Sequence, residues 1–170
     1  MTHSPPRQSP RRTKPVSSER KSDGYPQDGP INSIVLSLGV ALKRSANADF
    51  RRKLSLSSTE WPLIAILWSS GALGVSEICA RLGRDKGHVS RDLSGLMERG
   101  LLYRRRDVAD GRRTLVDFTA QARPVVKEFA AISQSRAEEL TRGLTEKEQQ
   151  ELRRMLMVLM RNVRDMYPRD

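Results

Sequence analysis

Cysteine is all but missing from this 170-residue chain, where Cys79 stands alone. A single thiol excludes an intramolecular disulfide framework and leaves a thiolate metal cluster short of sulfur, so no structural metal is expected. Histidine is scarce as well, with only His3 and His88. No glycine-rich phosphate loop and no nucleophile elbow accompanies them, which argues against an enzyme and against a bound cofactor. No run of about 18 apolar residues occurs, so no membrane span is expected. Met1 to Pro15 carry basic residues without the apolar stretch of a secretory signal, and the expectation is a cytoplasmic protein without a membrane partner. Acidic residues are outnumbered, 20 Asp and Glu against 31 Lys and Arg, for a net charge of +11. A surface of that sign attracts polyanions, above all nucleic acid.

What is present is organised. Residues 1–30 hold most of the prolines with many Ser, Arg and Lys and little that is apolar, so they read as a disordered basic arm. Residues 31–167 read as a single domain. From Ile31, the residues Ile34, Val35, Leu38, Ala41 and Leu42 recur at helical spacing and predict a first helix over 31–54. Ser57 to Glu60 offers a capping box for a second helix carrying Trp61, Ile64, Leu67 and Trp68. Because Pro62 must lie in the first turn, the cap is expected at Ser58 or Thr59. Gly71 and Gly74 break the pattern. Val75 to Leu82 predicts a short third helix closed by Gly83, and Asp85 is a fitting N-cap for a fourth that runs to Arg99 with Gly100 beyond it. Leu101 to Arg106 and Thr114 to Phe118 predict a hairpin with Asp110-Gly111 at its tip. Thr119 caps a fifth helix reaching about Gly143, and Thr145 with Glu148 opens a sixth that ends near Tyr167-Pro168.

The expected fold class is therefore mainly α with a small β-wing, a winged helix-turn-helix over 57–119 flanked by long helices over 31–54 and 120–167. On the fourth helix Val89, Leu93, Leu96 and Met97 share one face. Lys86, His88, Ser90, Arg91 and Ser94 lie on the other face or at the leading end, where a major groove would meet them. The hairpin adds Arg104-Arg105-Arg106 and Arg112-Arg113, of which Arg105, Arg112 and Arg113 are candidate DNA contacts. The long helices carry more apolar stripe than a lobe of this size can cover, which predicts a homodimer and an inverted-repeat operator. Trp61 and Trp68 read as core anchors, and Cys79 as a small buried hydrophobe with a redox sensor as the alternative.

Two stretches carry a resemblance to a known family. Asp85-Lys86-Gly87-His88-Val89-Ser90-Arg91-Asp92-Leu93 is similar to the start of the recognition helix of the MarR (multiple antibiotic resistance regulator) family. Asp110-Gly111-Arg112-Arg113-Thr114-Leu115-Val116-Asp117-Phe118-Thr119 is similar to that family's wing signature. The chain departs from the family pattern at Gly87, where a hydroxyl side chain is frequent, and at Gly95 within the helix. The resemblance implies that Lys86, His88, Ser90 and Arg91 contact the major groove and that Arg112 enters the minor groove, held in place by Asp110. It puts Ser76 and Arg84 near phosphates. It further implies a repressor released by a small, often aromatic and anionic effector, for which Trp61 with Arg44 or Arg51 is the candidate lining. The alternatives are an architectural protein that binds double-stranded DNA without sequence choice and a regulator that senses redox state through Cys79.

Overall fold

The computed structural model describes residues 29–166, and the basic arm expected over 1–30 therefore falls almost wholly outside the described residues. The described residues divide into two units, with the boundary inside the first helix between Ala41 and Leu42. The elements in chain order are α1 (Ile31–Leu54), α2 (Trp61–Ser70), β1 (Leu73–Gly74), α3 (Val75–Leu82), α4 (Lys86–Glu98), β2 (Leu102–Arg106), β3 (Thr114–Phe118), a single 3₁₀ turn (Ala120–Ala122), α5 (Arg123–Leu140) and α6 (Glu146–Met166). This is a mainly helical chain with a small antiparallel sheet in the order β1-β3-β2.

Local chemistry sets the ends of these elements. The chain leaves α1 through Ser55 in a left-handed conformation, φ 53°, with the Leu56 amide donating back to the Phe50 carbonyl at 3.2 Å. That closing bond drops Leu56 into the core, fully buried. Ser57 and Glu60 then form a reciprocal capping box, Ser57 N–H to Glu60 Oε2 at 2.8 Å and Glu60 N–H to Ser57 Oγ at 3.2 Å. The cap thus belongs to Ser57 and not to Ser58 or Thr59. A preliminary turn over 58–60 separates it from α2 and leaves Pro62 in the first helical turn, where its missing N–H costs nothing.

The segment expected only to break the pattern at Gly71 and Gly74 makes a short strand. Leu73 pairs with Val116 and Gly74 with Leu115, so β1 becomes the third strand of the wing sheet. Gly83 and Gly100 end α3 and α4 in the left-handed region, φ 62° and 69°. In each case the next amide reaches back, Arg84 to the Cys79 carbonyl and Leu101 to that of Leu96. A Cβ at Gly100 would stand 2.9 Å from Gln121 Oε1, the end of an exposed flexible side chain that can swing aside, so it is the positive φ that calls for glycine there. Thr119 caps the 3₁₀ turn, accepting from the Ala122 amide at 3.1 Å, and α5 begins only at Arg123. It ends at Leu140, short of the expected Gly143, which leaves Leu144 outside the helix.

The core of the larger unit joins α2, α3, α4 and the wing. Leu63, Ile78, Val89, Leu93, Leu96 and Val116 are inaccessible to solvent, each such side chain contributing about 1.5–3 kcal/mol by burial. An aromatic column ties α1, α2 and α5 to it. Phe50 stacks on Trp61 at 5.3 Å and on Phe129 at 4.6 Å, and Trp68 meets Phe129 edge-on at 5.9 Å. With few aromatics in the chain, both tryptophans serve this column. Trp68 is nonetheless half exposed and anchors from the rim, contrary to a fully buried role.

Candidate nucleic-acid interface

The helix-turn-helix is built by α3, the turn Gly83-Arg84-Asp85 and α4. Val89, Leu93 and Leu96 seat one face of α4 in the core, so the opposite face is directed to solvent. Lys86, His88, Arg91 and Ser94 are exposed on it, and Ser90 is half-buried. Lys86 and Arg91 make no ion pair among the described residues, which leaves their charge free for an external anion. Ser76, in the first turn of α3, is exposed as well.

The turn before α4 is fixed by charge. Arg84, implied as a phosphate contact, has its guanidinium turned inward, with Nη2 at 2.7 Å from Asp92 Oδ2 and Nη1 at 3.3 Å from the Thr59 carbonyl. Thr59 Oγ1 donates to the other Asp92 oxygen at 3.0 Å. Arg84 and Asp92 thereby lock the turn before α2 to α4, a half-buried pair with hydrogen bonds on both carboxylate oxygens. Sequence reading did not single out Asp92, because only the fold brings it opposite Arg84. Arg99 and Glu60 form a similar tie at 3.1 Å.

The wing divides its arginines by strand alternation. Arg105 faces Asp117 on the neighbouring strand, Nε to Oδ2 at 2.9 Å, and that carboxylate raises its pKa further. Arg104 and Arg106 point to the opposite face, are exposed and make no ion pair among the described residues. Period-two alternation was the signal that could have favoured them over Arg105. At the tip, Asp110 Oδ1 accepts from the backbone amide of Arg112 at 3.0 Å. Asp110 therefore shapes the turn that carries Arg112 and does not clamp its guanidinium, which is exposed and unpaired among the described residues. Arg113 folds back instead. Its Nη2 lies 2.7 Å from Glu77 Oε2, while the same Glu77 oxygen accepts the Gly74 amide at 2.9 Å. The backbone bond and the Arg113 charge hold Glu77 below its ordinary carboxylate pKa. Glu77 is the cap of α3 and the mooring of the wing in one side chain; the Gly74-x-x-Glu77 spacing was its sequence signal.

The candidate effector lining fares differently. Arg44 and Arg51 are exposed on α1. Trp61 is already engaged, stacked on Phe50 and donating Nε1–H to Asn47 Oδ1 at 2.7 Å. An open niche of about 350 Å³ lies elsewhere, lined mainly by Trp68, Phe118, Val126 and Ala130 with Arg123 and Lys127 beside them. A second of similar volume adjoins Arg136, whose guanidinium joins α5 to α1 through Asp49 at 2.6 Å and the Leu42 carbonyl at 3.1 Å. Cys79 is half-buried against the core. Among the described residues, no helix is long and apolar enough to cross a membrane, and no group of His, Cys, Asp and Glu is placed to hold a metal ion.

A short α3, a tight turn, an exposed basic face on α4 and a basic hairpin behind it define a winged helix-turn-helix protein. Residues 56–114, spanning α2, the helix-turn-helix and the first part of the wing, match the MarR family model. Proteins of this family are transcriptional regulators and not enzymes. Solved structures share the fold over most of the chain. A MarR/EmrR family transcriptional regulator from Acinetobacter sp. ADP1 is 24% identical, with a TM-score of 0.69 over 80% of this chain and 95% of its own. A MarR-family regulator from Listeria monocytogenes, solved in complex with 26mer DNA, is 18% identical, with a TM-score of 0.70 over 81% and 91%. Wild-type apo MarR from E. coli is 20% identical, with a TM-score of 0.62 over 77% and 96%.

Proposed function

We propose that this chain is a cytoplasmic, homodimeric, sequence-specific DNA-binding repressor that a small aromatic anion releases from its operator. The observation that carries the DNA reading is the sorting of arginines. Arg84, Arg105 and Arg113 are tied to carboxylates inside the lobe, whereas Lys86, Arg91, Arg104, Arg106 and Arg112 are exposed without a partner among the described residues. The first set stiffens the reading head and the second meets the polyanion. Lys86, His88, Ser90, Arg91 and Ser94 enter the major groove, Ser76 lies near a phosphate and Arg112 reaches the minor groove. The Listeria relative bound to DNA supports this reading.

Dimerisation is supported by the exposed apolar stripe of α6, Leu152, Met155, Leu156, Val163 and Met166, which a second copy would cover. Twofold symmetry then sets the recognition helices about 34 Å apart, one DNA turn, on an inverted repeat. For the effector, the niche beside Trp68, Phe118, Arg123 and Lys127 offers apolar walls and two cations. That chemistry suits an aromatic carboxylate better than the occupied surroundings of Trp61, with Arg44 and Arg51 on open surface.

The test compares the affinity for a selected operator with that for random DNA at one fixed salt concentration. A ratio of about a thousandfold or more is expected for a regulator. A ratio near one would identify an architectural protein. Aromatic acids that raise the melting temperature should lower operator affinity, and Trp68→Ala should blunt both effects.

A further inference from the structure

Asp85 has two oxygens, and both are taken by the same residue. It precedes α4 in an extended conformation, φ −68° and ψ 155°. Its Oδ1 accepts the backbone N–H of His88 at 3.0 Å, and its Oδ2 meets the ring Nδ1 of that histidine. These two bonds from His88 hold the Asp85 carboxyl at a pKa of about 2, so it is ionised at neutral pH. An ionised carboxylate offers only lone pairs, and the hydrogen between it and the ring must therefore sit on Nδ1. A neutral imidazole with its hydrogen on Nδ1 has a bare Nε2, a hydrogen-bond acceptor. The ring is 59% exposed at the leading end of α4, and Nε2 makes no hydrogen bond among the described residues.

The residue between the pair fits this arrangement. A Cβ at Gly87 would stand 3.2 Å from Asp85 Oδ1, close enough to press on the carboxylate. Glycine, where the family pattern favours a hydroxyl side chain, leaves Asp85 free to cap the helix and hold the ring at once.

We propose that Asp85 is a positioning residue that fixes His88 as its Nδ1–H tautomer, so that Nε2 reads the exocyclic amino group of adenine or cytosine in the major groove. Adenine N6 and cytosine N4 carry donors there, whereas guanine and thymine present acceptors that a bare nitrogen cannot bond. At one position of each half-site the contacted strand should hold A or C and reject G or T. This rests on α4 lying in the major groove, as argued above.

Asp85→Asn separates tautomer from structure. Asparagine caps helices as well as aspartate does, but its amide N–H donates to the ring and moves the histidine's own hydrogen to Nε2. The experiment selects sites from a randomised duplex library at pH 8 with the full chain and with Asp85→Asn and His88→Ala. Nitrogen-15 NMR of the imidazole is recorded on the free proteins. Wild type should show hydrogen on Nδ1 and enrich A or C at one position by about tenfold, within the range of a good base contact. Asp85→Asn should show hydrogen on Nε2 and admit G or T at that position, with adenine kept only through its N7 acceptor and cytosine lost, while His88→Ala loses the preference there alone. Hydrogen on Nε2 in the wild type, or G and T still rejected under a folded Asp85→Asn, overturns the tautomer assignment. Failure of the wild type to select any consensus overturns the regulator reading with it, and the two failures are thereby told apart. If Asp85→Asn does not fold, the wild-type spectrum alone decides.

Discussion

The DNA-binding lobe and the last helix are built from similar proportions of apolar side chains and end in opposite conditions. In the lobe, Ile78, Val89, Leu93 and Leu96 are sealed from water by other parts of the same chain. In α6 no residue is buried, although Leu152, Met155, Leu156, Val163 and Met166 repeat at the spacing of one helical face. The lobe therefore gathers its hydrophobic stabilisation within one chain. For α6 the same physical term is available only when another surface arrives, and in the proposed dimer that surface is a second copy.

The largest effect that could break this contrast comes from the lobe. Leu93→Ala should cost about 2–5 kcal/mol through lost burial and a residual cavity, read as a lower denaturant midpoint at unchanged slope. A change below about 1 kcal/mol would show that the lobe depends less on its own core than its burial implies. Next, Leu156→Asp on α6 should leave the tryptophan fluorescence of the lobe intact while raising the dimer dissociation constant about a hundredfold or more, because a carboxylate cannot be desolvated there without a partner. Light scattering that still finds a dimer at micromolar concentration would remove α6 from the interface.

A smaller effect should come from the wing tip. Arg112→Ala should lower DNA affinity about tenfold through loss of its minor-groove contact, with no loss of thermal stability. Arg113→Ala should differ in kind, since its guanidinium moors the wing to Glu77. The smallest effect concerns acid. Glu77 has a depressed pKa in the fold, so its contribution is present above the ordinary value of 4.5 and is lost as pH falls below it. Glu77→Gln should flatten that part of the melting temperature against pH profile below about pH 4.5, and an unchanged profile would show that the mooring carries no linkage. The effect is small because both partners are nearly half exposed and screened by water.

Much of the helical frame was legible in the sequence because its signals are local. Gly83 and Gly100 mark helix ends, Asp85 and Thr145 mark helix starts, and the alternation on either side of Asp110-Gly111 marks a hairpin. The misses have a common cause. Strand β1 is only Leu73–Gly74, too short to carry a period, and it exists because β3 offers an unpaired edge. Ser57 replaced Ser58 or Thr59 as the cap because an extra turn intervenes before α2. The division of the arginines depended on carboxylates far along the chain, Asp92 for Arg84, Asp117 for Arg105 and Glu77 for Arg113.

Composition and short-range spacing alone were enough to determine a basic helix-turn-helix chain with a wing and a surplus of apolar helix, since capping, periodicity and turn chemistry act within a few residues. Tertiary structure decided which cations face outward and which brace the lobe. It also decided where an open niche lies and that Asp85 holds both the amide and the ring of His88. Those outcomes follow from distances between groups that the chain separates and only folding brings to within hydrogen-bond range.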